Sequence, residues 1–131
     1  METELAIVQG HRRLMKIMQA FRFEAAHSLP RVPAGHRCHR MHGHSYRVEV
    51  ILEGTVDEAT GFVVDFFDIE AAFAPLLQRL DHHCLNEVEG LENPTAENIA
   101  AWIWRKIKPT LANLTAVRVF ETADCWAEYD G

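Results

Sequence analysis

The 131-residue chain has only three cysteines, Cys38, Cys84 and Cys125. An odd number in no tight framework argues against a disulfide-stapled secreted fold and for a reducing compartment. No apolar stretch approaches the ~20 residues that a membrane helix needs. The first residues lack the apolar core of a secretory signal, so a cytoplasmic location is the expectation. Positive charge is also scarce: 13 Lys and Arg stand against 19 Asp and Glu, a net charge of −6. A chain of that sign lacks the basic field that non-specific nucleic-acid binding requires. No internal repeat and no low-complexity tract is visible.

A hydrophobic content of 48% suits one globular domain with an ordinary core. Residues 1–15 show no sustained period and read as an N-terminal extension; 16–131 read as a single domain. From Lys16 to His27, Phe21, Phe23, Ala25 and His27 fall on one face of a strand. A loop follows at Pro30, Pro33 and Gly35. His44 to Glu53 alternates cleanly, with Tyr46, Val48, Val50 and Leu52 on one face.

Asp65 is placed to cap a helix carrying Phe66, Ile69, Phe73, Leu76, Leu77 and Leu80 at helical spacing. Pro75 falls inside that pattern, so a kink or break is expected there. Thr95 caps a second helix with Ile99, Trp102, Ile103 and Ile107, and Pro109 follows its end. Thr115 to Thr122 reads as a third strand and Cys125 to Tyr129 as a fourth. The resulting class is α+β, a four-stranded antiparallel sheet with two helices on one face.

The chemistry gathers around CHRMHGHS, Cys38 to Ser45. His42 and His44 are two apart, so on an extended segment both rings point to one side. His27 ends the first strand and His44 begins the second. Antiparallel pairing of those strands brings three imidazoles to one sheet edge. Three neutral nitrogens with an open fourth position make a catalytic zinc pattern. Cys38 can equally be a fourth ligand, because its spacing from His42 suits either role. Asp81 precedes His82 and His83; a carboxylate there can orient an imidazole, or the trio is a polar helix end. Glu121 shares a strand face with Val117 and Val119, which places a carboxylate either at the sheet margin or against a ligand rich in N–H donors. The stretch His36-Arg37-Cys38-His39-Arg40 is locally basic, which fits either a small anionic substrate or a solvated loop.

Five motifs occur in one order: FEAAH, CHRMHGHS, LDHHCLN, ENPTAEN and VFET, from Phe23 to Thr122. Together they resemble the 6-pyruvoyl-tetrahydropterin synthase superfamily over nearly the whole domain. Only His39, Arg40 and Met41 separate Cys38 from His42. That short spacing resembles the branch of 6-carboxy-5,6,7,8-tetrahydropterin synthases of bacterial queuosine biosynthesis. The resemblance implies a lyase acting on 7,8-dihydroneopterin triphosphate, with 6-carboxytetrahydropterin, acetaldehyde and triphosphate as products. It implies Zn2+ held by His27, His42 and His44, and Cys38 as the catalytic thiol. Asp81 and His82 match the proton relay, and Glu121 matches the pterin anchor, also assigned to the relay. The fold implied is the tunnelling fold, whose sheets join into a barrel in a homo-oligomer, commonly a hexamer, with sites between subunits. A pyruvoyl-forming synthase and a non-catalytic zinc- or pterin-binding module are the alternatives; neither nucleic acid nor membrane is an expected partner.

Overall fold

A computed structural model describes residues 14–131, and the extension expected over 1–15 lies outside the described residues through residue 13. Strand β1 spans Leu14–His27 and β2 spans His42–Thr55. Helix α1 (Phe66–Leu80) follows, then a two-residue strand β3 (His83–Cys84), helix α2 (Ala96–Ile107), β4 (Leu114–Thr122) and β5 (Cys125–Tyr129). The sheet order is β3-β1-β2-β4-β5. The sheet therefore has five strands, one more than the sequence pattern suggested. The additional strand is too short to show a period: His83 and Cys84 pair in parallel with Ala25 and Ala26.

The alternating residues of β1, β2 and β4 supply one apolar face, and both helices cover it. Phe21, Phe23, Tyr46, Val48, Val50, Leu52, Val117 and Val119 meet Ile69, Phe73, Leu76 and Leu80 of α1 and Ile99, Trp102, Ile103 and Ile107 of α2 in one cluster. Phe21 stacks on Phe73 with ring centroids 4.1 Å apart, and Phe23 stacks on Tyr46 at 4.8 Å. Both helix starts are capped as their sequences indicate. Asp65 accepts from the Phe67 N–H and Thr95 from the Asn98 N–H.

Pro75 does not break α1; the helix continues to Leu80. The proline lies on the exposed side, as does Ala71, whose carbonyl would otherwise accept its N–H. Water can satisfy that carbonyl, so the core-facing row of Ile69, Phe73, Leu76 and Leu80 stays in phase.

The opposite sheet face is charged. Glu49 accepts from Arg47 at 2.9 Å and from Arg118 at 3.3 Å, while Arg118 also donates to Glu128 at 2.6 Å and lies over the Trp126 ring. These strongly polar pairs stand on the face that the helices leave uncovered.

Two substitutions in α1 separate its faces. Phe73→Ala empties a fully buried ring site and is expected to cost about 3–5 kcal/mol. Pro75→Ala restores a helical N–H on the wet side and is expected to stabilise by roughly 1 kcal/mol or more. Urea unfolding midpoints of the two variants against the parent chain check both signs.

Candidate metal centre and its cavity

The β1–β2 ladder sets the site. It aligns Ala25 with His44, Ala26 with Gly43 and His27 with His42. The end of one strand therefore faces the start of the next, and the three rings meet. One ligand nitrogen from each of His27, His42 and His44 lies within 4.8 Å of the others. Ring centroids are 4.6 Å apart for His27 and His42, 5.1 Å for His27 and His44, and 5.0 Å for His42 and His44. Gly43 is required by the close approach: a Cβ there would lie 3.3 Å from the Ala25 carbonyl oxygen.

Two of the rings are fixed from behind. His27 Nδ1–H donates to the Pro94 carbonyl at 2.8 Å, with the Tyr46 hydroxyl 3.2 Å from the same nitrogen. His42 Nδ1–H donates to the Arg40 carbonyl at 2.7 Å. A carbonyl only accepts, so both Nδ1 atoms carry the proton and both Nε2 atoms present lone pairs. His27 is fully buried, yet its Nε2 has no hydrogen-bond partner among the described residues. An orphaned buried lone pair aimed at two further imidazoles is what a cation site needs. Burial, the largest influence, pushes the His27 pKa below its ordinary value, and the His42 and His44 rings act in the same direction. The Pro94 carbonyl and Glu121 oppose that shift without reversing it. The ring is held neutral, as a ligand must be. Burial also pushes the Tyr46 phenol upward, with Glu121 adding to it, so Tyr46 stays protonated beside His27.

Glu121 lies at the end of β4 with one carboxylate oxygen 3.9 Å from His27 Nε2, too far for a hydrogen bond. Across β4 and β5, Phe120 pairs with Trp126 and Thr122 with Cys125. Glu121 is the extra residue of a β-bulge, a device that re-aims one side chain. Cys38 sits in a 3-10 turn (Arg37–His39) and is half-buried. Its carbonyl accepts from the Leu29 N–H at 2.9 Å, and its own N–H donates to the His36 ring at 3.0 Å. A cavity of about 430 Å³ is lined by His27, His42, His44, Cys38 and Glu121, together with Arg37, Arg40 and Cys125.

Asp81 and His82 are not in that cavity. They follow α1 and are sewn to the outer side of β1. Glu24 N–H donates to Asp81 Oδ1 at 2.9 Å, and His82 N–H donates to the Glu24 carbonyl at 2.6 Å. Asp81 Oδ2 lies 3.1 Å from His82 Nδ1. His82 is left-handed, at φ 60°, an unfavourable conformation for a residue with a side chain. The Glu24 N–H, then the hydrogen bond to His82, hold the Asp81 carboxyl below its usual pKa. His82 is 77% exposed and borders a second, more open cavity of about 570 Å³. His44 lines both cavities and forms the partition between them.

The supporting groups were not legible as site residues. Tyr46 presents as a core aromatic, and Pro94 and Arg40 hold the rings through their carbonyls. Asn86 takes Ser28 N–H on Oδ1 at 2.9 Å and donates from Nδ2 to the Ser28 carbonyl at 2.8 Å. That reciprocal pair anchors the loop bearing Cys38 to the segment after β3. The one available signal was Asn86's place in the LDHHCLN motif. Cys125, without an assigned part on sequence grounds, lines the Cys38 cavity.

The three imidazoles are expected to take up about one divalent ion per chain, and a His42→Ala, His44→Ala double variant to take up none; elemental analysis after dialysis reads this. The Asp81 carboxyl makes a separate acid prediction. Its pKa is lowered on folding, so its stabilising effect is full above the unfolded value of about 3.9 and lost as pH falls through the folded value. Asp81→Asn should therefore be less stable than the parent at neutral pH, with the gap closing in acid denaturation below about pH 4.

Comparison with known proteins places this geometry. The family model described as PTPS, 6-pyruvoyl tetrahydropterin synthase, matches residues 16–131. A 6-carboxy-5,6,7,8-tetrahydropterin synthase of Synechocystis sp. is 42% identical over 119 residues, covering 86% of this chain and 91% of its own length. A dihydroneopterin monophosphate aldolase of Pyrococcus furiosus is 33% identical over 96 residues, covering 73% of this chain and 77% of its own. The solved 6-pyruvoyl tetrahydropterin synthase of Caenorhabditis elegans superposes with a TM-score of 0.83 at 27% identity, covering 90% of this chain and 96% of that one. With a family model spanning the domain and a relative sharing two residues in five, the chain belongs to the 6-pyruvoyl tetrahydropterin synthase family.

Proposed function

We propose that this chain is a zinc-dependent lyase that converts 7,8-dihydroneopterin triphosphate to 6-carboxy-5,6,7,8-tetrahydropterin, acetaldehyde and triphosphate, within queuosine biosynthesis. The observation that carries the reading is one cavity lined by three convergent imidazoles, a thiol and a bulge-mounted carboxylate. The Synechocystis relative's name supports the same product.

Three imidazole nitrogens suit Zn2+, which when bound supplies a Lewis acid to the oxygens of the substrate side chain. Pro94 and Arg40 keep His27 and His42 in the tautomer that ligation needs. Glu121 accepts from the ring N–H groups and so turns the pterin's side chain toward the imidazoles. Cys38, half-buried and next to the cavity, is the base that takes a proton from the side chain as thiolate. Proton transfer along the side chain permits tautomerisation, triphosphate loss and carbon–carbon cleavage, and one water from solvent is consumed, supplying the oxygen that balances the carboxylate, acetaldehyde and triphosphate products. No redox cofactor is required, because ring and side chain exchange oxidation state internally.

Asp81 and His82 serve as the relay on this reading, and their position outside the imidazole cavity supports a site completed by a second chain. They border a separate, exposed surface, so the relay of one subunit serves the thiol of its neighbour. The sheet's edges favour such assembly. β3 covers only Ala25 and Ala26 of β1, and β5 is an edge strand. Joined edges close a barrel in a symmetric homo-oligomer, a hexamer on this reading.

Incubation with 7,8-dihydroneopterin triphosphate should yield acetaldehyde in equal amount to 6-carboxytetrahydropterin. A 6-pyruvoyl product without acetaldehyde would assign the other branch, and no turnover would leave a binding module. Cys38→Ala should keep its zinc and lose activity by about 10²-fold or more; loss of zinc would make the thiol a ligand. For shared sites, Cys38→Ala and Asp81→Ala chains, each inactive, should regain activity when dissociated and reassembled together. Light scattering gives the oligomer. A fully active monomer would refute the shared relay.

A further inference from the structure

The cavity of the three imidazoles carries two cations that the chemistry above leaves unused, Arg37 and Arg40. The chain as a whole has net charge −6, but this wall has two guanidiniums and one carboxylate, Glu121. Both arginines are exposed, and among the described residues no carboxylate pairs with either. Arg47 and Arg118, by contrast, are each spent on Glu49 or Glu128.

The backbone beneath them is held on several sides. His36 caps the turn at Cys38 N–H, Leu29 N–H holds the Cys38 carbonyl, and the His42 ring holds the Arg40 carbonyl at 2.7 Å. Arg37 opens the 3-10 turn and Arg40, extended, follows its end; both line the one cavity. Two planar forks with no protein acid to satisfy them, mounted on a fixed turn beside the reacting groups, match phosphate oxygens in number and geometry.

The geometry points to Arg37 and Arg40 as the subsite for the substrate's triphosphate tail and for the triphosphate that leaves. This rests on the lyase reading for the identity of the substrate. Glu121 comes from the β4 bulge and the arginines from the loop before β2, so a ligand reaching both is gripped at its two ends. In the elimination, a carbon gives its proton to a base and the C–H electron pair forms a C=C bond. The neighbouring C–O bond breaks, and its pair departs on the phosphate oxygen. The leaving group gains one negative charge, which a guanidinium stabilises without titrating. Both arginines thus bind the ground state and favour departure.

The probes are inorganic tripolyphosphate, orthophosphate and unphosphorylated 7,8-dihydroneopterin, titrated by calorimetry into the zinc-loaded oligomer. The parent should bind tripolyphosphate at least tenfold more tightly than orthophosphate. R37A/R40A should weaken tripolyphosphate about tenfold or more, leave dihydroneopterin within twofold, and keep its zinc. R37K/R40K should fall between the two, since lysine keeps charge but not the fork. With substrate, KM of R37A/R40A should rise about tenfold. Unchanged tripolyphosphate affinity in R37A/R40A would overturn the assignment, as would an equal loss for dihydroneopterin or equal binding of orthophosphate by the parent. The calorimetry reads the phosphate site directly, so a different product from turnover would refute the lyase reading while leaving this result standing.

Discussion

Everything in the candidate site depends on the register of one antiparallel ladder. Pairing His27 with His42 also pairs Ala25 with His44, and strand alternation turns the three rings to one side. A slip of one residue would send His42 and His44 through the sheet to the other face. The core enforces the register. Phe21, Phe23, Tyr46 and Val48 lie on the same alternation as the rings, so a slipped strand would expose those side chains too. The apolar burial that stabilises the domain therefore also assembles the metal ligands.

This coupling explains why so much was legible in the sequence. Tyr46, Val48, Val50 and Leu52 alternate without interruption, and both helix caps are local signals. The convergence of His27, His42 and His44 needed only strand ends and an antiparallel turn. The parts that could not be read are those without local signature. β3 is two residues long and forms because the chain after α1 is tied to Glu24. The bulge at Glu121 comes from unequal strand lengths between Phe120 and Thr122. Pro75 did not decide whether α1 would break, because propensity carries no information about which helix face is wet. Tyr46, Pro94 and Arg40 hold the rings through a hydroxyl and two carbonyls, and carbonyls are invisible to residue type.

The two functional groupings are mounted differently. The imidazoles and Cys38 stand on β1, β2 and a loop clamped by Asn86, within a buried frame. Asp81 and His82 stand on a tight, left-handed turn at the surface, fastened through Glu24. The first grouping is held by ladder pairing and by hydrogen bonds to the Pro94 and Arg40 carbonyls. The second is open, with the His82 side chain 77% exposed on a left-handed backbone.

The bulge separates two kinds of evolutionary change. Glu121 is displaced from the ladder by a single extra residue between Phe120 and Thr122, on a different strand pair from the β1–β2 ladder that holds the imidazoles. Lengthening or trimming that strand crossing would reposition the carboxylate by a residue while the imidazole trio stayed where it is. An indel at that one strand end would therefore change which group faces the cavity without disturbing the three imidazoles.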